Sequence, residues 1–342
     1  MGGRSCIASP WLTVSQGGKA VQQTASRPKV AIIGAGMVGS TFGYALLASG
    51  LTPEIILIDV NRPRAEGEAM DLNHAMPFHR PINIRSGDYA DCAGAAVVVI
   101  AAGAAQKPGE TRTQLAQRNA QVMAQIIPQV VRYAPDTILL MATNPVDSMT
   151  YVAWRLSGFD AHRVIGAGTI LDTARLRYML GARFAVDPRS THAYIVGEHG
   201  DSEVPLWSSA TIAGMSIQDF CNTTGRTCTQ EEFAQIFTQV RDAAYRIIEL
   251  KGATYFAIAS GLERIVESIL RDQNTVLSVS GLLRDCHGVS DVCLSLPMII
   301  NRQGIGRILC VPMSVEEQQA FRNSASIVRQ VIDSLPIPQP VY

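Results

Sequence analysis

Excess charge of one sign, closely paired cysteines and long apolar runs are all missing from this chain. Its 342 residues carry 29 Lys and Arg against 29 Asp and Glu, and a formal net charge of +0 gives no basic surface of the kind that binds nucleic acid. The uncharged run at residues 93–105 is too short, and too rich in small residues, to span a bilayer. We therefore expect no nucleic acid and no membrane among its partners.

The cysteines lack the spacing of a structural scaffold. There are seven, an odd number, and no two of them form a C-x-x-C pair. This pattern favours reduced thiols in a cytosol-like compartment and argues against a disulfide framework or a zinc site. We expect a cytoplasmic protein without a bound metal.

Acidic residues are absent before Glu54, and the first 27 residues are polar with only three basic side chains. This segment faintly resembles an organelle transit peptide but lacks the apolar core of a secretory signal. We expect residues 1–27 to be a disordered extension, with a start placed too far upstream as the alternative. Folded structure is expected to begin near Pro28.

A glycine-rich turn is the first feature that the chain does contain. A short apolar run from Lys29 predicts a buried strand, and glycines at 34, 36 and 39 then open a helical pattern. In a dinucleotide-binding turn, Gly34 permits the tight bend, Gly36 lets the pyrophosphate approach the backbone, and Gly39 lets helix and strand pack closely. Asp59, which ends the second apolar run 20 residues after Gly39, would bind the ribose hydroxyls and repel a 2′-phosphate. NAD is favoured over NADP; the alternative is that these glycines only pack a strand on a helix.

Strands and helices continue to alternate through the first half. Helices are predicted at residues 62–74 and 113–133, and strands at 82–86, 96–101 and 137–142. This order is typical of a doubly wound parallel sheet of the Rossmann type, in which ligands bind at the carboxyl ends of the strands. The polar segment 103–112 follows one of these strands on that side.

After about Ala167 the pattern changes to α+β. Helices are predicted at residues 171–180, 231–250, 254–270 and 315–335, and strands at 192–196, 275–280, 292–300 and 307–311. We therefore divide the folded chain into a Rossmann-type NAD-binding domain at residues 28–167 and an α+β substrate domain at 168–342, with a cleft between them.

One histidine stands in unusual surroundings. His199 lies between Gly197-Glu198 and Gly200-Asp201, so the backbone around it is free to present the imidazole at a crowded surface. Histidine is the side chain whose ordinary pKa lies nearest neutrality, which suits it to exchange protons. Alone this is weak evidence, because most histidines are structural or exposed.

The motifs taken together resemble the lactate/malate dehydrogenase family, and most closely its bacterial L-lactate dehydrogenases. The resemblance spans nearly all of residues 29–335. The segments that carry it are Gly34–Gly39, Asp59, Gln106–Arg112, Thr143–Pro145, Leu171–Arg175 and Gly197–Asp201.

This resemblance implies the catalytic roles in the reduction of a 2-oxo acid. His199 would give the proton, and Asp172 would bind its other ring nitrogen, although Asp172 could instead only cap its helix. Arg175 would hold the substrate carboxylate through two parallel hydrogen bonds. Arg112, on a mobile loop, would stabilise negative charge on the carbonyl oxygen. The alternative for both arginines is a surface ion pair.

The resemblance also implies the remaining contacts. Asn144 would contact cofactor and substrate oxygens, and Thr254 would line the substrate site. The residues expected to bind NAD are Gly34, Gly36, Met37, Val38, Gly39, Asp59, Gly103, Ala104, Thr143 and Asn144.

Gln106 is the residue that decides the substrate. Related malate dehydrogenases carry an arginine at this position, which pairs with the second carboxylate of oxaloacetate. A neutral glutamine leaves that charge unpaired in a closed site, so pyruvate and L-lactate are favoured. Other small 2-oxo acids stay possible substrates, malate dehydrogenase is the competing activity, and a non-catalytic NAD-binding protein is the competing class.

Arg177 and His192 match positions that, in allosteric bacterial members, bind fructose 1,6-bisphosphate between subunits. Members without this regulation can keep both residues. The resemblance thus implies a homotetramer and suggests this sugar bisphosphate as an activator.

Overall fold

The computed structural model describes residues 28–105 and 109–337. Its strands are β1 Lys29–Ile33, β2 Glu54–Ile58, β3 Asn83–Ser86, β4 Ala95–Ile100, β5 Ile138–Met141, β6 Val164–Gly166, β7 Thr191–His192, β8 Ile195–Val196, β9 Val204–Pro205, β10 Thr211–Ile212, β11 Met215–Ser216, β12 Thr275–Leu282, β13 Cys293–Asn301 and β14 Gly304–Ile308. Its helices are α1 Met37–Ser49, α2 Arg62–Ala75, α3 Arg112–Tyr133, α4 Val146–Ser157, α5 Ile170–Phe184, α6 Ile217–Thr224, α7 Gln230–Lys251, α8 Phe256–Leu270 and α9 Val315–Asp333. None of these helices is long and apolar enough to cross a membrane.

A nine-stranded sheet runs through the protein in the order β14-β13-β12-β6-β5-β4-β1-β2-β3. Strands β1 to β6 are all parallel, and the strand order reverses direction beside β1. The predicted doubly wound Rossmann-type sheet, followed by an α+β half, is confirmed. The carboxyl ends of β1 and β4 border the switch point, where ligands of such sheets bind.

The first strand shows why this sheet is buried on both faces. Val30 and Ile32 point into a core shared with α1 and α8, whereas Ala31 and Ile33 point into a second core shared with α3 and α4. All four side chains are almost completely buried. An uninterrupted apolar run is therefore the correct pattern for this strand.

The sheet crosses the predicted domain boundary. Strand β12 continues it antiparallel to β6 through one residue pair, Ser280 with Gly166, and β13 and β14 follow antiparallel. The third of these strands, predicted at 307–311, spans Gly304–Ile308 instead. It starts earlier than predicted because the turn that precedes it closes at Gly304, which has a φ of +98°. The strands of the second half are thus an edge of the first half's sheet.

The strand predicted at 192–196 is divided in the structure. Its first part, β7, belongs to a three-stranded sheet with β10 and β11, and its second part, β8, pairs with β9. Immediately after β8, Gly197 exchanges two backbone hydrogen bonds with Ser295 of β13, with N···O distances of 2.9 and 3.0 Å. The turn that carries His199 is therefore tied to the main sheet.

The expectation of reduced thiols is wrong for four cysteines. The structure joins Cys221 to Cys228 and Cys286 to Cys310 as disulfides, with Cα–Cα distances of 6.3 and 5.7 Å. The chain turns back after α6 at Gly225, in the left-handed conformation, and this brings the first pair together. The second pair joins segments 24 residues apart, so no short-range spacing could indicate it.

Candidate active site

The glycine turn has the geometry of a phosphate cradle. Gly34 adopts a φ of +101°, and its N–H donates to the carbonyl of Ile58 at 2.7 Å. A Cβ on Gly39 would lie 1.9 Å from the oxygen of Gly34, so helix α1 approaches the turn as closely as only glycine allows. A Cβ on Gly36, at the start of the same helix, would meet nothing within 4 Å. The turn thus leaves open space beside free helix N–H groups, as a pyrophosphate requires.

Asp59 closes this turn at the end of β2. Its carboxylate accepts the N–H of Ala35 at 2.7 Å and the N–H of Asn61 at 2.8 Å, which fixes both oxygens. The surface pocket at this point is lined by one arginine and four carboxylates, of which Asp59 is one. An adenosine ribose with free hydroxyls suits this surface, whereas an added phosphate would meet negative charge.

The other predicted cofactor residues border the same edge of the sheet. A Cβ on Gly103 would lie 2.5 Å from the Thr143 methyl carbon, so these two segments are in close contact. The amide side chain of Asn119 accepts the N–H of Ala104 at 2.8 Å and donates to the carbonyl of Asn144 at 2.7 Å. Met37 and Val38 open α1 beside the turn. The residues that are present fit an extended dinucleotide.

A cavity of about 480 Å³ lies next to this edge. It brings together five residues that sequence reasoning selected from separate segments, namely Arg112, Asn144, Asp172, Arg175 and His199. Arg112 does not lie in the loop where it was predicted, because Thr111 caps α3 with a capping box to Gln114 and Arg112 is the first residue of that helix. Asp172 lies in the first turn of α5, where the helix dipole favours negative charge.

Asp172 links the histidine to an arginine. Its Oδ2 lies 2.5 Å from Nδ1 of His199, and its Oδ1 accepts from Nη1 of Arg175 at 2.9 Å. Asp172 is 2% exposed, while the imidazole of His199 keeps 27% of its surface exposed toward the cavity. The carboxylate therefore fixes the ring and leaves its other nitrogen for a ligand.

The pKa of His199 follows from this pairing. Burial disfavours the imidazolium, but the charge and hydrogen bond of Asp172, with smaller contributions from Asp147 and Glu203, raise the pKa of His199 to about 9. Although burial opposes its ionisation, the positive charges of His199 and Arg175 hold the pKa of Asp172 below its usual range. At neutral pH the pair is an imidazolium with a carboxylate, and His199 carries a proton to give.

Arg112 is held by both carboxylates that flank His199 in the sequence. Its Nη1 donates to Oε1 of Glu198 at 2.7 Å, and its Nη2 lies 3.0 Å from Oδ2 of Asp201. Burial would lower the pKa of Arg112, but the negative charge of Glu198 and its other neighbours raise it. A guanidinium and an imidazolium thus border the same cavity.

Sequence reasoning missed two buried carboxylates at this site. Asp147 accepts the backbone N–H of His199 at 2.7 Å, and burial raises the pKa of Asp147 to about 6. Glu203 offers an oxygen within 4.8 Å of ligand atoms of both Asp172 and His199. Burial, together with the charge of Asp172, raises the pKa of Glu203 to about 8. Both residues stand within a few positions of predicted ones, but neither matched a pattern with a known role.

Helix α7 forms the remaining wall of the cavity, and sequence reasoning did not predict that role. Its lining residues are Arg241, Ala244, Tyr245 and Ile248. The helix was predicted correctly, but only two of its side chains are buried, so its amphipathic pattern did not indicate a wall over a cavity.

Some predicted residues are not placed in this cavity. Gln106 lies outside the described residues, and Thr254, between α7 and α8, is not among the residues that line the cavity. Arg177 and His192 lie close to each other elsewhere, where Arg177 donates to the carbonyl of Ala193 at 3.0 Å. Their predicted roles stay predictions.

Two family models match the chain. The model of the lactate/malate dehydrogenase NAD-binding domain matches residues 28–166, and that of the lactate/malate dehydrogenase alpha/beta C-terminal domain matches residues 169–335.

Curated relatives and solved structures agree with these models. The chain is 52% identical to an L-lactate dehydrogenase of Acetivibrio thermocellus over 309 residues, 90% of this chain and 98% of that protein. It is 49% identical to an L-lactate dehydrogenase of Thermus aquaticus, over 90% of this chain and 99% of that protein. A crystal structure of a lactate dehydrogenase from a Medee basin deep-sea metagenome library superposes with a TM-score of 0.87 at 42% identity, covering 90% of this chain and 99% of the other. The ligand-bound minor L-lactate dehydrogenase from Enterococcus mundtii also gives a TM-score of 0.87, at 40% identity, covering 90% of this chain and 98% of the other.

Two alanine substitutions in the glycine turn should separate cofactor binding from stability. Gly39→Ala should lower both the thermal midpoint and the affinity for NADH, because its methyl group overlaps the oxygen of Gly34. Gly36→Ala should keep the midpoint and lose roughly tenfold or more in NADH affinity, because the methyl group enters only the space of the pyrophosphate. Calorimetry and NADH fluorescence titration measure the two effects. Wild-type NADH affinity in Gly36→Ala would contradict this placement of the pyrophosphate.

The protonation of His199 should depend on Asp172. In the wild type, an NMR titration of the imidazole should give a pKa of about 9. In Asp172→Asn the pKa should fall by several units, because burial then acts without a facing carboxylate. Asp219→Asn, which changes an exposed carboxylate on α6, should leave the titration unchanged. An unshifted His199 in Asp172→Asn would show that another group sets its pKa.

Proposed function

The chain belongs to the lactate/malate dehydrogenase family, and we propose that it interconverts pyruvate and L-lactate with NAD as cofactor. Family membership makes it an NAD-dependent oxidoreductase. The observation that carries the proposal is one cavity lined by His199, its partner Asp172, and the two arginines Arg112 and Arg175. Reduction of a 2-oxo acid needs a proton donor and cations for its carboxylate and its carbonyl oxygen, and these side chains can supply them.

His199 acts as the acid in pyruvate reduction and as the base in lactate oxidation. Bound NADH supplies the hydride. Because the pKa of His199 is raised to about 9, the imidazolium is the dominant form at neutral pH and can protonate the forming alkoxide. Asp172 keeps the Nδ1 proton in place, so the proton that moves is the one on Nε2.

Each of the two arginines interacts with a different oxygen-bearing group of the substrate. Arg175, anchored to Asp172 by one Nη1 hydrogen bond, has donors left for the substrate carboxylate. Arg112 stabilises negative charge that develops on the carbonyl oxygen, and Asn144 contributes an amide to the same cavity. Thr254 we assign to the substrate side on the family resemblance alone.

The preference for pyruvate is inferred from Gln106. A neutral residue there provides no partner for the second carboxylate of oxaloacetate. On the α7 wall of the cavity, Arg241 is already paired with its neighbour Asp242, with 2.8 Å between Nε and Oδ1. The preference for NAD rests on Asp59 and the acidic pocket beside it.

A substrate panel tests the proposal. The wild type should reduce pyruvate with NADH at least tenfold more efficiently, in kcat/KM, than oxaloacetate or than pyruvate with NADPH. His199→Ala should lose roughly 10²–10⁴ in kcat, the usual share of a general acid. His287→Ala, which alters a histidine bonded to the carbonyl of Val311 outside the cavity, should keep kcat. A preference for oxaloacetate would make the protein a malate dehydrogenase instead.

The proposed function also has consequences for the assembly, cellular location and regulation of the protein. From the family resemblance, and not from the cysteine pattern, we infer a cytoplasmic homotetramer that works in the conversion of glycolytic pyruvate to lactate. We also propose a division into domains after residue 167. Arg177 lies over the ring of Tyr194 at 5.0 Å, and its Nε donates to the carbonyl of Ala193. Within residues 28–105 and 109–337 its terminal nitrogens have no hydrogen-bond acceptor, which leaves them available for an anion. His192, exposed on the short strand β7, offers an imidazole N–H as a second hydrogen-bond donor for the anion.

Fructose 1,6-bisphosphate should therefore lower the pyruvate concentration that gives half-maximal rate. Arg177→Gln should abolish this effect and leave the unactivated rate within about twofold, since Arg177 lies outside the catalytic cavity. Arg189→Gln, a 91% exposed arginine paired with Asp187, should keep the activation. Saturation curves that do not respond to the sugar bisphosphate between pH 6 and 8 would refute the activator site.

A further inference from the structure

Glu198 is a buried carboxylate whose two oxygens have different partners. Only 6% of the residue is exposed. Oε2 accepts the hydroxyl of Ser202 at 2.5 Å, and Oε1 accepts Nη1 of Arg112 at 2.7 Å. The backbone N–H of Glu198 donates to the hydroxyl of Ser324 on α9 at 2.8 Å, so the residue is fixed at both ends.

A carboxylate in this position needs a cation. Burial of an ionised group is unfavourable unless a paired charge offsets it, and a serine hydroxyl brings no net charge. Among the residues that the structure describes, Arg112 is the one cation in an ion pair with Glu198. Glu198 is therefore built as a receptor for the Arg112 guanidinium.

The surface around Glu198 is shaped for the same guanidinium. A Cβ on Gly200 would lie 2.2 Å from Nη1 of Arg112, so the guanidinium packs directly on the glycine backbone. The other terminal nitrogen of Arg112 is paired with Asp201, which also accepts the hydroxyl of Tyr245 at 3.0 Å. A planar guanidinium held at two nitrogens is fixed in direction as well as in position.

The turn that presents His199 thus also presents Arg112. The backbone N–H of His199 is held by Asp147, while Glu198, one residue before His199, and Asp201, two residues after it, hold the arginine. The distance between the proton donor and the cation is then set by one short turn, although Arg112 itself begins α3.

We propose that Glu198 is a positioning residue, which holds the Arg112 guanidinium beside His199 so that it meets the carbonyl oxygen of the substrate. This inference rests on the proposed function, because it assumes that Arg112 acts on a 2-oxo acid. Glu198 itself touches no reacting atom; it acts through Arg112. Gly200 is required for the same reason, because it leaves the space that the guanidinium fills.

A double-mutant cycle separates this role from a merely structural one. Glu198→Gln keeps the shape of the side chain and removes its charge. In the wild-type background it should lower kcat for pyruvate about 10- to 100-fold, the range expected for a misplaced catalytic group, with KM changed less than about threefold because Arg175 is untouched. In an Arg112→Gln background the same change should alter kcat less than about threefold, since the group that it positions is gone.

Gly200→Ala is a second route to the same result, in case Glu198→Gln folds poorly. Its methyl carbon would lie 2.2 Å from Nη1 of Arg112 and 2.9 Å from the carboxyl carbon of Glu198, so it separates the two members of this ion pair without removing either charge. It should also lose most of its effect in the Arg112→Gln background. Glu317→Gln is the matched control. Glu317 is a buried carboxylate too, bonded to Ser208 and Ser314, but it lies outside the cavity and should affect only the thermal midpoint.

The outcomes are distinct. Unchanged kcat in Glu198→Gln, a higher kcat, or an equal loss in both backgrounds would overturn the positioning role while leaving pyruvate reduction by the wild type intact. A wild type that reduces no 2-oxo acid would instead overturn the proposed function, and this inference with it.

Discussion

The hydrogen bond between Asp172 and His199 is the constraint on which the site depends. It joins a helix that follows β6 to a turn that follows β8, and it pairs the imidazole with a carboxylate that is almost completely buried. Around it, the hydroxyl of Thr169 donates to the carbonyl of Ile195, and its N–H donates to the hydroxyl of Ser295. The pair is therefore supported by buried hydrogen bonds, which a general acid needs in order to keep its direction.

Charge balance explains how several carboxylates can lie around this small cavity. Asp172, Glu198 and Asp201 each face a cation, and their negative charge keeps His199 and the arginines ionised. Glu203 has an oxygen without a hydrogen-bond partner among the described residues, and its raised pKa of about 8 means that it is mainly neutral at pH 7. The cavity can thus accept an anionic substrate without meeting an unpaired negative charge at neutral pH.

The sequence was sufficient for features that have a local signature. Apolar runs, the spacing of Gly34, Gly36 and Gly39, and the alternation of strands with helices predict the doubly wound sheet, and the structure confirms it. Asp172 and His199 could be paired before the structure because a family resemblance linked distant segments. The hydrophobic periodicity of a sequence carries no information on contacts between distant residues. For this reason the disulfides, the extension of the sheet at Gly166 and the cavity wall formed by α7 could not be predicted. The partners of Arg112 were visible as two acids beside His199, yet which cation they hold depends on where α3 begins.

Asp59 connects cofactor choice to the integrity of the glycine turn. Its carboxylate binds the N–H of Ala35 and of Asn61, so one side chain both faces the ribose and closes the loop beside Gly34. An exchange of Asp59 for a residue that accepts a 2′-phosphate would remove one hydrogen bond from the glycine turn, at Ala35, and one from the start of α2, at Asn61. Evolution toward NADP therefore cannot proceed through this position alone: a compensating change in the turn has to come first or arrive together with it.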